Sequence, residues 1–233
     1  MQFLFLITAR AGSKGIPKKN SKLLNGKPLI CYSIELARKF SEDEHICVST
    51  DDKEIIEIAR SLNLEVPFIR PTDLATDEAS SYDVIKHALH FYKAKGKKYD
   101  GLVLLQPTSP LRLKKHLQEA MSLFNDKVDM IVGVKETKSN PYNLLFETNS
   151  EGYLKKVIES DNYTRRQDVP KVFEVNGAIY IYNVTALEQK NIKEFEKKLP
   201  LLMASENSVD IDTPLDWMWT EFLLINKIVE LDF

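Results

Sequence analysis

Apolar runs and helical patterns alternate along the first part of the chain. "FLFLIT" is continuously apolar, "PLICYSIELARKF" carries apolar positions at helical spacing, "HICVST" is a second run, and "KEIIEIARSLN" is a second amphipathic segment. The reading is β-α-β-α. It continues through strand-like "VPFI", a helix from about Ser81 to Lys93, the run "GLVLLQ", a helix from about Lys114 to Phe124, and "DMIVGV". A strand with one wet face alternates polar and apolar residues, so runs this uniformly apolar are covered on both faces. The expectation is an α/β fold with a mostly parallel sheet between two helical layers, a three-layer Rossmann-like arrangement that presents ligands at the carboxyl ends of its strands.

After about Lys138 the rhythm breaks. "YNLLFET", the turn-like "NSEG" and "YLKKVIES" read as a hairpin and mark an insertion, because they cannot form another crossover unit. The chain then returns to strand-like "GAIYIYN", a short helix near Ala186 to Lys190, strand-like "LPLLMA", and a last helix after "DTPLD". Thr213 followed three residues later by Asp216 has the form of a capping box, with Pro214 in the favoured first turn. There is no internal repeat, long linker or low-complexity stretch, so one domain over residues 1–233 is expected.

Composition narrows the function classes. A chain of 233 residues with 43% hydrophobic and 28% charged content buries a core without disulfide staples, and Cys31 and Cys47 sit in apolar surroundings as buried thiols. The net charge of −2 gives no global support for nucleic-acid binding. No apolar run approaches the roughly 20 residues of a membrane span. "MQFLFLIT" lacks the charged leader and small-residue cleavage site of a targeting peptide, so a cytoplasmic protein is expected. His87 and His90 share a helix but have no third ligand nearby, and a histidine metal centre is not expected.

The charges are nevertheless unevenly placed. The first acid is Glu35, and Arg10, Lys14, Lys18, Lys19, Lys22 and Lys27 all precede it. "ARAGSKGIPKKN" follows the first strand, and its glycines let backbone N–H groups face an anion while its lysines add charge. The natural guest is a polyphosphate; for the loop alone, a solvated basic turn is the competing reading. The spacing of Gly12 and Gly15 matches neither the dinucleotide fingerprint nor the nucleoside-triphosphate loop. Far along the chain, Asp210 and Asp212 stand two apart, which in an extended segment turns both carboxylates to one face, close enough to share Mg²⁺.

Six blocks occur in order: "ARAGSKGIPKKN", "RPTDLATDEASS", "LLQPTSPLR", "RRQD", "NGAIY" and "DIDTPLD". Together they resemble the acylneuraminate cytidylyltransferases (the CMP-sialic acid synthetase family), and the resemblance spans nearly the whole chain. It implies a nucleotide-diphospho-sugar transferase type of fold and a reaction that couples CTP to a nonulosonic sugar acid, with Mg²⁺ or Mn²⁺. The sugar's anomeric hydroxyl attacks the α-phosphorus, giving a CMP-sugar and pyrophosphate. By resemblance, Arg10, Lys14 and Lys19 serve the triphosphate, Gly12, Ser13 and Gly15 offer backbone or hydroxyl donors, and Asn20 reaches the nucleotide. Arg70 and Ser81 match positions that contact cytidine, a helix cap being the alternative for Ser81. Gln106 matches a residue that contacts the sugar acid, with Asn176 in the substrate-binding set. Arg112 is read either as meeting a carboxylate or as capping a surface turn. Arg10, Lys19, Asp210 and Asp212 form the catalytic set, and the two aspartates the metal set.

Many bacterial sialate members carry Arg-x-Asn-Gly where this chain has Glu174, Val175, Asn176 and Gly177, and a Lys where it has Asn143. Arg165 and Arg166 are therefore the expected partners of the sugar carboxylate, and N-acetylneuraminate is one candidate among related nonulosonic acids. Residues 140–169 resemble the family's dimerisation insert, which implies a homodimer. The sister reaction on the eight-carbon acid Kdo and a non-catalytic nucleotide-binding relative remain as alternatives.

Overall fold

The computed structural model describes residues 1–12, 14–159, 163 and 165–233, without the side chain of Arg166. Its elements are β1 (Phe3–Thr8), the short ribbon β2 (Leu23–Leu24) and β3 (Lys27–Pro28), α1 (Leu29–Arg38), β4 (Ile46–Ser49), α2 (Lys53–Ser61) and α3 (Ser81–Ala94). Then follow β5 (Gly101–Leu104), α4 (Lys114–Leu123), β6 (Met130–Glu136), β7 (Phe146–Thr148), β8 (Leu154–Lys156), β9 (Phe173–Asn183), α5 (Val184–Gln189), β10 (Lys198–Leu202) and α6 (Pro214–Ile225).

Six strands form one sheet in the order β10-β6-β9-β5-β1-β4. Only β9 runs against its neighbours, and the other pairings are parallel. The uniform apolarity of "FLFLIT" has a direct cause: Phe3, Phe5 and Ile7 join the core beneath α1, α2 and α4, whereas Leu4 and Leu6 join the core beneath α3 and α5. Successive side chains of a strand leave on opposite faces, so both faces of β1 are buried and both parities must be apolar. This is the three-layer arrangement expected.

One expected strand does not form. "VPFI" contributes a single bridge, Ile69 to Thr50, because Pro67 lacks the N–H a ladder needs and the segment turns at once into the Arg70 loop. The hairpin does form: β7 and β8 pair antiparallel as a separate two-stranded sheet. The capping box is present too, with the Thr213 hydroxyl accepting from Asp216 N and the Asp216 carboxylate accepting from Thr213 N. Among the described residues no helix is long and apolar enough to cross a membrane.

Strand β9 is bulged. Its pairing with β6 jumps from Val132 opposite Tyr180 to Val134 opposite Val175, leaving residues 176–179 outside regular register. Asn176 fastens the bulge, its amide donating to Ser208 Oγ (2.9 Å) and its Oδ1 accepting from Ala178 N (3.0 Å). Across the sheet only a glycine fits, since a Cβ at Gly133 would stand 2.6 Å from Asn176 Oδ1.

Asp129, just before β6, closes the other end of the sheet. Its Oδ2 accepts from Lys190 Nζ (2.8 Å), Glu196 N (3.0 Å) and Lys197 N (2.9 Å), tying the lead into β10 to β6. Burial disfavours its charge, but those three donors outweigh burial and hold its pKa below the ordinary 3.8. A depressed carboxylate stabilises the fold above the unfolded pKa, and that contribution is lost as pH falls through the folded value. Asp129→Asn is expected to cost about 1–3 kcal/mol near neutral pH, a fall in Tm of roughly 3–10 °C. The gap between variant and wild type should close below about pH 4, as thermal melts across pH would record.

Candidate active site

Strands β1 and β5 are adjacent, and the chain leaves β1 toward β4 on one side while β5 lies on the other. The carboxyl ends of β1 and β5 therefore flank a crevice, the position where open α/β sheets bind ligands. A cavity of about 360 Å³ opens there. Arg10, Lys14, Gly15, Lys19 and Asn20 reach it from the loop after β1, Arg70 and Ser81 from the segment leading into α3, Gln106 from the end of β5, and Asp212 from the segment before α6. Nine sequence-predicted residues from four separated stretches thus line one cavity.

The loop owes its position to close packing against residues far along the chain. A Cβ on Gly15 would stand 2.1 Å from the carbonyl oxygen of Asp212, so only glycine allows the two backbones to touch. Lys19, almost fully buried, donates from Nζ to Ile211 O (2.6 Å) and to Asp212 Oδ1 (3.0 Å). Ala11 N donates to Asp51 Oδ1 (2.9 Å), anchoring the loop on the β4 side. Gly12 takes φ +77° with open space around it, so its role is conformational.

Arg70 is buried and donates to Ser49 through Nε (3.0 Å to Oγ) and Nη2 (2.5 Å to O), which fixes its guanidinium at the crevice wall. Burial lowers its pKa, and the nearby Arg10 charge adds to that effect. Ser81 is the first residue of α3, and the cap is Ser80, whose Oγ accepts from Asp83 N. The capping alternative for Ser81 is thereby replaced: its side chain is left to the cavity.

Asp210 sits at a corner where three segments meet. A Cβ added to Gly177, which has φ +72°, would come within 3.0 Å of Gln106 Oε1, 3.3 Å of Asp210 Oδ2 and 3.4 Å of Ser109 Oγ. Asp210 keeps solvent exposure, but partial desolvation of its carboxyl raises its pKa above 3.8 and the Asp212 charge raises it further, against a hydrogen bond from Thr108. Two acids that repel each other beside a cationic crevice are an oxygen donor set for a hard divalent cation, which commonly takes one or two carboxylates and completes its shell with phosphate and water. No cluster of three metal-binding side chains occurs among the described residues.

Four expected residues among those described are not in the cavity lining: Gly12, Asn176, Arg165 and Asp210. Asn176 spends its side chain on the β9 bulge, as described above, and sets the Gly177 corner from behind. Arg165 is exposed on the insertion and does not line this cavity. Ser13 and the side chain of Arg166 lie outside the described residues. Arg112 neither meets a carboxylate nor caps a surface turn; it is wholly buried and bonded to neutral groups, because the "SPLR" turn folds inward.

Sequence reasoning missed Asp77. Its carboxylate pairs with both Arg10 and Lys14 and closes the cationic end of the crevice, and Lys14 and Arg10 in turn hold its pKa below the usual carboxylate range. The signal was present in "RPTDLATDEASS": six cations without a nearby acid in a chain of net charge −2 require counter-ions brought from elsewhere. Leu74, Ala79, Val84 and Leu104 add an apolar wall that nothing in their spacing announced.

A cationic, glycine-punctuated loop at the switch point of a mostly parallel sheet, with an apolar wall and two acids around it, defines an α/β enzyme that handles nucleotide polyphosphates. Solved structures of nucleotidyltransferases share the fold: a CMP-2-keto-3-deoxy-manno-octonic acid synthetase complexed with CTP matches at TM-score 0.68, with 17% identity, over 97% of this chain and all of its own. A 4-diphosphocytidyl-2C-methyl-D-erythritol synthase from Anaerococcus prevotii matches at TM-score 0.65 and 13% identity, over 96% and 98%. Residues 4–231 match the cytidylyltransferase family, and the chain belongs to it; the protein is a nucleotidyltransferase. It is 35% identical over 225 residues to the CMP-N,N'-diacetyllegionaminic acid synthase of Legionella pneumophila, covering 96% of this chain and 97% of that one. It is 33% identical to the pseudaminic acid cytidylyltransferase of Campylobacter jejuni, covering 96% of each. To the N-acylneuraminate cytidylyltransferase of Streptococcus agalactiae it is 36% identical over 94% of its length, spanning about half (52%) of that longer protein.

The Gly15 contact yields a direct test. Gly15→Ala forces the loop off Asp212, so CTP affinity measured by calorimetry should fall at least about tenfold, a loss of roughly 1.4 kcal/mol. Unchanged CTP affinity in a folded Gly15→Ala protein would show that this backbone contact does not set the loop.

Proposed function

We propose that the protein couples CTP to an acidic nine-carbon 2-keto sugar, a nonulosonic acid, to give a CMP-sugar and pyrophosphate. The observation that supports this most is that Arg10, Lys14 and Lys19 line one cavity together with Gln106, which stands beside the Gly177–Asp210 corner. The cations suit a triphosphate, and the polar corner suits a polyhydroxylated acid. The identities to relatives named for legionaminic, pseudaminic and acylneuraminic acids agree with that substrate class.

In this reading the anomeric oxygen bonds to the α-phosphorus as the bond to the pyrophosphate oxygen breaks. Catalysis is then positioning and charge neutralisation. Arg10 exchanges Asp77 for phosphate oxygens, Lys14 does the same, and Lys19 holds the loop against Asp212 while presenting its own charge. Gly12, Gly15 and Ser13 add donors to the phosphates, Asn20 reaches the nucleotide, and Arg70 and Ser81 recognise the cytosine part. Gln106 contacts the sugar acid with Asn176 supporting it from behind. Asp210 and Asp212 would hold Mg²⁺ or Mn²⁺, which supplies charge neutralisation to the phosphates when bound.

The insertion exposes Leu144, Leu145, Phe146, Tyr153, Leu154 and Val157, and an apolar hairpin of this kind suits burial against a second copy of the chain. The reading therefore includes a homodimer in which Arg165 or Arg166 reaches the sugar carboxylate of one of the two sites, an Arg fork matching a carboxylate. It places the enzyme in the cytoplasm, acting on small molecules and not on nucleic acid or membrane.

Pyrophosphate release from CTP, measured with N-acetylneuraminate, legionaminate, pseudaminate and Kdo in parallel, tests the substrate class. Turnover with a nine-carbon acid and little with Kdo is expected; preference for Kdo would replace the reading with the eight-carbon one, and absence of release with every acid would leave a non-catalytic nucleotide-binding relative. The acids are tested separately by Asp212→Asn. The Asp212 side chain is 73% exposed, so the change should move stability by less than about 1 kcal/mol. Its kcat should nonetheless fall about a hundred- to a thousandfold. Near-normal turnover of Asp212→Asn at limiting Mg²⁺ would remove the metal role.

A further inference from the structure

Among the described residues, Arg112 is the largest side chain with no solvent exposure. Its partners are all neutral: Nη1 donates to Gln106 O (3.0 Å) and to Ala178 O (2.7 Å), and Nη2 donates to Ser33 Oγ (2.5 Å). Nε has no partner. A buried cation bonded only to neutral acceptors is costly to desolvate, a cost that a neutral donor to the same oxygens would avoid. Stability alone therefore does not account for an arginine here.

Its contacts point to a different task. Gln106 lines the crevice, and Ala178 follows Gly177, whose backbone faces both Gln106 Oε1 and Asp210. One nitrogen of Arg112 thus fastens both walls of that corner by their carbonyls, which fixes the distance between them. Ser33 lies on α1, so the same guanidinium ties the corner to the helix that follows the phosphate loop. Burial lowers its pKa to about 9, and the Asp210 charge opposes that shift.

We infer that Arg112 is a positioning residue for the sugar-acid half of the site: it sets the gap between Gln106 and Gly177 and keeps a positive charge behind the place where the anionic sugar is held. This rests on the sugar-acid reading given above. The phosphate end is fastened by other contacts, so the two halves should respond differently to its removal.

The test uses Arg112→Met, which keeps an unbranched stem but is shorter and removes charge and donors, beside Arg112→Lys and Ser33→Ala. Calorimetry gives the CTP Kd without sugar, pyrophosphate release gives KM for the acid that the wild-type enzyme turns over, and melting gives Tm. Arg112→Met is expected to keep the CTP Kd within about threefold and to raise the sugar KM at least tenfold, with a fall in Tm because buried acceptors lose their donor, and Arg112→Lys should fall between. A merely structural arginine would instead weaken CTP and sugar together, and that result, or an unchanged sugar KM, would overturn the inference. If Arg112→Met does not fold, Arg112→Lys and Ser33→Ala decide: a sugar KM raised about threefold or more at unchanged CTP Kd supports it, and an unchanged KM overturns it. Failure of the wild type to use any acid would overturn the parent reading and this inference with it, whereas wild-type turnover with an unaltered KM in Arg112→Met would overturn this inference alone.

Discussion

The site depends on one backbone contact, that of Gly15 against the carbonyl of Asp212. It joins the first loop of the chain to the segment before the last helix, and Lys19 locks the junction through Ile211 and Asp212. The junction brings a cationic loop and Asp212 to the same crevice, where either alone would be a charged stretch in water. Any side chain at residue 15 would hold the two apart. The need for glycine here is therefore a matter of approach between segments and not of turn conformation, in contrast to Gly12, where φ is positive and the space is open.

Charge is managed locally around that junction. Asp77 meets Arg10 and Lys14, Asp51 holds the Ala11 amide, and Asp212 meets Lys19, so each part of the loop has an acid drawn from a different element. A protein of net charge −2 can keep a strongly basic loop in this way without becoming a general binder of nucleic acid. These are exchangeable contacts. An entering polyphosphate offers the same cations a higher charge, and the exposed Asp77 pairs are weak enough in water to be given up.

The far side of the crevice is organised from beneath. Asn176 fixes the bulge of β9, Gly177 turns through a positive φ, and Arg112 holds the carbonyls on either side. The bulge exists because residues 176–179 have no regular partner on β6, and the strand re-aims itself there.

What the sequence by itself determined was the layering and the chemistry of the parts. Two-sided burial of β1 requires apolar residues at both parities, and that requirement is visible in "FLFLIT"; likewise a capping box is a local pattern, and Thr213, Pro214 and Asp216 announce it. The cationic loop, the acidic pair and the ordered blocks were legible for the same reason, since each is a short stretch whose residue types carry the signal. Only the tertiary structure decided which of those parts meet. Asp77 as counter-ion to the loop, Ser80 as the cap in place of Ser81, the inward turn of Arg112 and the inward amide of Asn176 all depend on where a side chain points after packing. A charged or amide residue looks the same in a sequence whether its partner is water, a ligand or a carbonyl buried dozens of residues away, and the identity of that partner is settled by the approach of distant segments.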